Sequence, residues 1–236
     1  MCGRYRLSRR KQLVEEYFGT VSGDDDWNPR YNIAPTQPVI TIRRQDAAEP
    51  VRTFSSMRWG LLPSWAKDIS IGYKTINAKA ETVSTTSSFR EPFKSQRCLI
   101  PADGFYEWQK NGKTKQPYCF EVNDGDLFAF AGLWDRWRDP QGDVIESCTI
   151  LTTTPNSLLC DIHDRMPVIL SADNYDLWLD PAFRATPCLS KMLGPFNPAL
   201  MRRYPVSARV NQVLNDDAEC ARPLEQETVA AQRQLF

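Results

Sequence analysis

Apolar residues recur along this chain in two spacings, one helical and one alternating. Near the start, "SRRKQLVEEYFG" brings Leu13, Val14, Tyr17 and Phe18 onto one helical face, with Ser8 as a cap candidate and Gly19 as a stop. The polar, turn-rich "SGDDDWNPRYNIAPTQP" then predicts a long loop. Alternation takes over in "VITIRR", "VRTFSSMRWGLL", "RCLIPADGFYEW", "PYCFEV", "LFAFAGLW" and "SCTILTTT", each of which predicts a strand. "KNGKTKQ" joins two of these runs as a hairpin loop, and "RDPQGDVIE" supplies a second hairpin with its own turn residues. Helical spacing returns in "PNSLLCDI" and "ADNYDLWL", and the polar end "RPLEQETVAAQRQLF" predicts a loose tail. Strands with helices attached predict an α+β class, one domain over residues 1–220 and a tail over 221–236.

Composition sharpens the picture in three places. The chain has 236 residues, 42% of them hydrophobic, enough for a single large domain with its own core. Lys and Arg balance Asp and Glu at 29 each, so binding to a polyanion would need a local basic face. No apolar run approaches a membrane span and the N-terminal stretch lacks a signal-peptide core, so a cytosolic protein is expected, or a nuclear one from a eukaryotic source. The seven cysteines show no C-x-x-C spacing and the chain has one histidine, so no zinc site and no cofactor is expected. Most of the thiols should be buried small hydrophobes, with Cys2 as the exception.

Four short stretches carry chemistry. In "MCGRY", loss of Met1 would leave Cys2 with an α-amine of pKa about 7.7–8.0 beside a thiol near about 8.5, a pair that condenses with aldehydes to a thiazolidine. The plain alternative is a buried small residue. In "YKTINAKAET", Asn77, Lys79 and Glu81 share one face of an extended segment, suited to orienting a nucleophile and holding a phosphate, or simply a solvated face. In "IPADGFYEW", Glu107 lies among aromatic residues that would raise its pKa for proton transfer, although alternation also allows it to point to water. In "CDIHDRMPVIL", the sole histidine, His163, sits between two aspartates as an acid/base candidate, with a structural imidazole as the alternative.

Taken in order, "MCGRY", "YNIAPTQ", "WGLLPSWAKD", "INAKAET", "FKSQRCLIPADGFYEW", "LTTTPN", "DIHDRMPVIL" and "PVSARVN" resemble the motifs of the SRAP family, the SOS response-associated peptidase fold, from Cys2 to about Asn211. The resemblance implies a β-barrel-like mixed-sheet core with surrounding helices and a basic cleft for single-stranded DNA. It further implies capture of abasic sites as a covalent thiazolidine crosslink through Cys2, with possible lyase activity. Under it, Asn77 positions Cys2 or the opened sugar, Glu107 handles protons, and His163 assists sugar opening. Arg4, Lys79 and Arg165 would hold phosphates, and Trp65, Met166 and Pro167 would stack or wedge near the lesion. Lys79 stands where many relatives carry arginine, which keeps the charge and loses the bidentate fork. Capture needs Met1 removed, because an acylated Cys2 nitrogen cannot form an imine. The rivals are a thiol (auto)peptidase using Cys2, His163 and Glu107, and a non-covalent reader of modified cytosine. The expected partner is single-stranded DNA with abasic sites, without metal or membrane, and the expected state is a monomer.

Overall fold

Most of the alternating runs become strands in the computed structural model, which describes residues 2–21, 27–44 and 51–224. In chain order the elements are β1 (Tyr5–Leu7), α1 (Lys11–Phe18), β2 (Thr20–Val21), β3 (Arg30–Ile33), β4 (Pro38–Arg44), β5 (Arg52–Trp59) and β6 (Asn77–Lys79). Then follow α2 (Arg90–Ser95), β7 (Arg97–Ala102), β8 (Gly104–Asn111), β9 (Thr114–Val122), β10 (Phe128–Arg138) and β11 (Val144–Thr153). The last are β12 (Met166–Pro167), β13 (Ile169–Leu170), α3 (Tyr175–Leu179), α4 (Thr186–Lys191) and β14 (Met201–Pro205).

The strands form a five-stranded sheet in the order β14-β9-β8-β1-β3 and a nine-stranded sheet along β12-β11-β10-β7-β4-β5-β2, with β13 on β10 and β6 on β11. The larger sheet is mixed, because β11 runs parallel to β5 and β6, and β2 parallel to β5. Their apolar faces share one core, in which Tyr5 packs edge-on against Trp59 and Phe130 while Phe105 stacks on Phe120. Each such ring contributes about 1.5–3 kcal/mol by burial. The expected α+β class with a barrel-like mixed-sheet core and short outlying helices is what forms. Among the described residues no helix is long and apolar enough to cross a membrane.

Where the sequence expectation departs from the structure, tertiary partners decide. "RCLIPADGFYEW" is not one strand: it turns a corner at Asp103, so that β7 belongs to the larger sheet and β8 to the smaller. The Asp103 carboxylate accepts from Arg6 Nε at 3.0 Å, from the Ser8 backbone N–H at 2.9 Å and from Ser8 Oγ at 2.6 Å. Gly104 completes the corner, since a Cβ there would lie 2.8 Å from Arg6 Nε. Ser8 is therefore spent on Asp103, and α1 begins after Arg10 without a side-chain cap, although Gly19 ends it as expected in the left-handed region at φ 58°.

β3 forms inside the stretch expected to be a loop: it pairs with β1, and the Asp216 carboxylate accepts the backbone N–H groups of Tyr31 and Asn32. "PNSLLCDI" is a pair of turns rather than a helix, with Asn156 Oδ1 accepting from the Leu158 N–H at 3.1 Å and Asn156 Nδ2 tied to the Phe196 carbonyl. Both predicted hairpins form: a two-residue turn at Gly112 and Lys113, and a longer one braced by Asp139 Oδ1. Of the predicted tail, residues 225–236 lie outside the described residues; before them Leu224 donates to the Pro205 carbonyl at 2.9 Å.

Candidate functional site

The segment before β1 runs along β8, held by the Tyr106 N–H on the Arg4 carbonyl at 3.0 Å and by the register Tyr5 to Phe105. The chain before Arg4 thus ends close enough to Glu107 for its charge to act on Cys2. Cys2 is fully buried, so it is no exception among the thiols: Cys98, Cys119, Cys148 and Cys220 are buried too, while Cys160 and Cys188 are exposed. Burial pushes the Cys2 thiol well above its usual range, and the negative charge of Glu107 pushes in the same direction. Glu107 itself is only 4% exposed, which disposes of the water-facing alternative. Alternation does put it across the strand from Tyr106 and Trp108, but β8 lies inside its sheet and both of its faces are covered. Burial raises the Glu107 carboxyl to about 7, against the pull of the Trp108 backbone N–H, and the nearby Asp164 charge adds to the rise.

The charge of Asp164 acts on both Glu107 and His163. His163 Nδ1 accepts from the Arg165 backbone N–H at 3.0 Å and also lies 2.9 Å from Asp164 Oδ1. One ring nitrogen cannot be lone-pair acceptor to the amide and proton donor to the carboxylate at once. Burial lowers the His163 pKa, with Asp164 opposing, so the neutral ring that accepts from Arg165 and carries its proton on Nε2 is the resting form. Asp164 is largely exposed.

A third group gathers at the C-terminal end of β11, flanked by β6 on one edge and β12 on the other. Asn77, 8% exposed, donates from Nδ2 to the Ile150 carbonyl at 3.3 Å, and its Oδ1 is buried without a hydrogen-bond partner. Lys79 is exposed at the end of β6. The alternation seen in the sequence stops there, because Ala80 opens a turn, and Glu81 instead makes a bidentate pair with Arg165 at 2.7 and 2.8 Å. Arg165 Nη2 also donates to the Thr152 carbonyl at 2.6 Å.

The remaining sequence candidates fall in different settings. Arg4 donates to Asn32 Oδ1 at 2.8 Å and to the Val210 carbonyl at 2.7 Å, with its guanidinium 5.7 Å from the Trp108 ring centre. Met166 and Pro167 are buried, so neither presents a surface to a base in this structure. Trp65 is 56% exposed on the loop between β5 and β6. That loop is pinned where Gly60 meets Gly72: a Cβ on Gly60 would stand 2.5 Å from the Gly72 carbonyl oxygen. Sequence reasoning missed that the Asp164 charge reaches Glu107, and that Glu81 is the partner of Arg165, a residue 84 positions away. Local spacing carries no signal for either.

Comparison with known proteins agrees with this arrangement. The sequence model described as SOS response associated peptidase (SRAP) matches residues 1–213. The chain is 44% identical over 222 residues to the Bacillus subtilis (strain 168) protein named abasic site processing protein YoqW, covering 93% of this chain and 98% of that one. It is 36% identical over 228 residues to the Gallus gallus protein named abasic site processing protein HMCES, covering 84% of this chain and 67% of the relative. A crystal structure of a Bacteroides thetaiotaomicron protein superposes with a TM-score of 0.85 at 28% identity, covering 94% of this chain and all of that one. With the family sequence matched over nearly the whole fold and Cys2, Asn77, Glu107 and His163 all within the matched span, this chain belongs to the SRAP family.

Proposed function

We propose that this protein processes abasic sites in single-stranded DNA by capturing the ring-opened sugar covalently through Cys2 once Met1 is removed. Met1 itself lies outside the described residues. Two relatives are named for abasic site processing. The observation that carries the proposal is the electrostatic coupling of Cys2 to a buried carboxyl held at about 7.

The chemistry follows from those two groups. The Cys2 amine attacks the C1′ aldehyde carbon, a C–N bond forms, and loss of one water gives the imine. The thiol sulfur then adds to the imine carbon, and the proton leaving sulfur ends on the ring nitrogen, closing the thiazolidine with no further loss of mass. Because burial keeps the thiol protonated, this second step needs a base at the moment of attack. Glu107 near neutrality both takes and returns that proton. Neutral His163 offers an Nε2–H to the oxygen released when the sugar opens. The unpartnered Asn77 Oδ1 suits an N–H or O–H of the amine or the opened sugar. Strand-cleaving lyase chemistry would branch from the imine, so thiol closure competes with it.

Lys79 and Trp65 are exposed and suited to a flanking phosphate and base, whereas Arg165 would exchange Glu81 for a phosphate and Arg4 would keep its internal partners. A peptidase built on a thiolate and an imidazolium is less well supported: the thiol pKa is raised and the His163 pKa lowered, the opposite of what that ion pair requires. Removal of Met1 by the same groups would be a self-processing step. The test is Cys2→Ser on abasic single-stranded DNA. The variant keeps an amine, so borohydride should trap an imine, while no heat-stable adduct forms without reductant. A heat-stable adduct from Cys2→Ala without reductant would sink the mechanism.

A further inference from the structure

We propose that the hairpin joining β8 and β9 is a second contact surface for DNA, binding phosphates of the single strand that extends away from Cys2. This rests on the function proposed above. The hairpin ends in a two-residue turn, Gly112 and Lys113, with Lys110 directly opposite Lys115. Lys110, Lys113 and Lys115 are all exposed, and among the described residues none of them forms an ion pair. Like charges directly opposite on adjacent strands destabilise a hairpin. The segment 110–116 holds these three lysines and no acidic residue, in a chain whose charges balance overall at 29 each. A polyanion lying across the tip would turn that repulsion into attraction.

Two observations aim the tip at the capture site. The same strand carries Glu107, and Asn111 lies four residues farther on, about 13 Å along it. The Lys110 charge is also felt at His163, so the end of the hairpin lies within electrostatic reach of the site. Strand alternation puts Trp108, Lys110 and its opposite Lys115 on the face of β8 opposite Glu107, with the Arg4 guanidinium over Trp108. Arg4, Trp108 and Lys110 thus follow one another along β8, with Lys115 beside Lys110 on β9 and Lys113 beyond them at the tip. An aromatic ring set among cations along a strand fits a single-stranded backbone. Lysine suits this use, since each ammonium acts as a point charge on a flexible stem and needs no fixed fork geometry.

The test uses undamaged single-stranded DNA of about 4 and about 16 nucleotides, with binding followed by anisotropy between about 50 and about 200 mM salt. The full chain is compared with Lys110→Ala/Lys113→Ala/Lys115→Ala. Loss of three phosphate contacts should weaken the long strand severalfold and flatten its log–log salt slope by about 2, leaving the short strand unchanged. An unchanged slope on the long strand means a merely solvated tip and overturns the proposal, and so does an equal loss on both lengths. Lys113→Ala/Lys115→Ala, both at the exposed end, repeats the test with a smaller slope change should the triple variant fold poorly. Undamaged DNA forms no adduct, so this result is independent of whether Cys2 captures an aldehyde. Covalent yield on abasic DNA, read on a parallel denaturing gel, reports that separately.

Discussion

Replacing Glu107 by glutamine removes a charge that the fold holds at a cost, and the cost can be worked out. Burial moves the carboxyl from an ordinary 4.5 to about 7. At about 1.4 kcal/mol per tenfold change in proton affinity, the folded state favours the protonated form by about 3 kcal/mol more than the unfolded chain does. Because the folded pKa is the higher one, the stabilising effect of this proton is fully present below 4.5 and is lost as pH rises through about 7. Glutamine has nearly the same shape and no such dependence. Urea unfolding of both proteins across this window, with other titrating groups cancelling in the difference, should show Glu107→Gln gaining on the natural protein by about 3 kcal/mol from pH 4.5 to above pH 7. The same variant should close the thiazolidine slowly at neutral pH, for want of a base. A stability difference that does not change with pH, or that changes with the opposite sign, would refute the burial argument. An unimpaired closure rate would refute the role as base.

Two further variants probe the frame of the site. Glu81→Gln unties Arg165 from its bidentate partner. Affinity for single-stranded DNA should rise severalfold at low salt and the salt slope steepen by about 0.7, one additional phosphate; a fall in affinity would mean that Glu81 positions Arg165 rather than competing for it. Gly60→Ala must fit a Cβ 2.5 Å from the Gly72 carbonyl oxygen at φ +124°, whereas Gly19→Ala meets nothing within 4 Å at φ +58°. Urea unfolding should show a loss of roughly 3 kcal/mol or more for the first and about 1–2 kcal/mol for the second; equal losses would show that the contact is relieved easily and that the loop carrying Trp65 is not pinned there.

Much of this protein is legible in its sequence because the deciding interactions are local. The period of Val14 and Phe18 and the freedom of Gly19 define α1, and the turn residues of both hairpins specify them. Legibility fails where a distant side chain takes over. The corner at Asp103 depends on Arg6, 97 residues away, and β3 depends on Asp216, 185 residues from Tyr31. The site follows the same rule. Cys2, Glu107 and His163 stand out by residue type within short motifs, but the burial of Glu107 comes from the layers over both faces of β8, and the Asp164 charge that acts on it lies 57 residues farther along the chain. Alternation gave Met166 and Pro167 no side, and the pairing of β12 with β11 buries both.

Intact mass tests covalent capture most directly. Protein shown by mass to begin at Cys2 is mixed with single-stranded DNA carrying one abasic site, heated, and weighed. Thiazolidine formation predicts a heat-stable species at the summed mass less one water, unchanged by borohydride and absent for Cys2→Ala. No such species from protein beginning at Cys2, or the same species from Cys2→Ala, would contradict it.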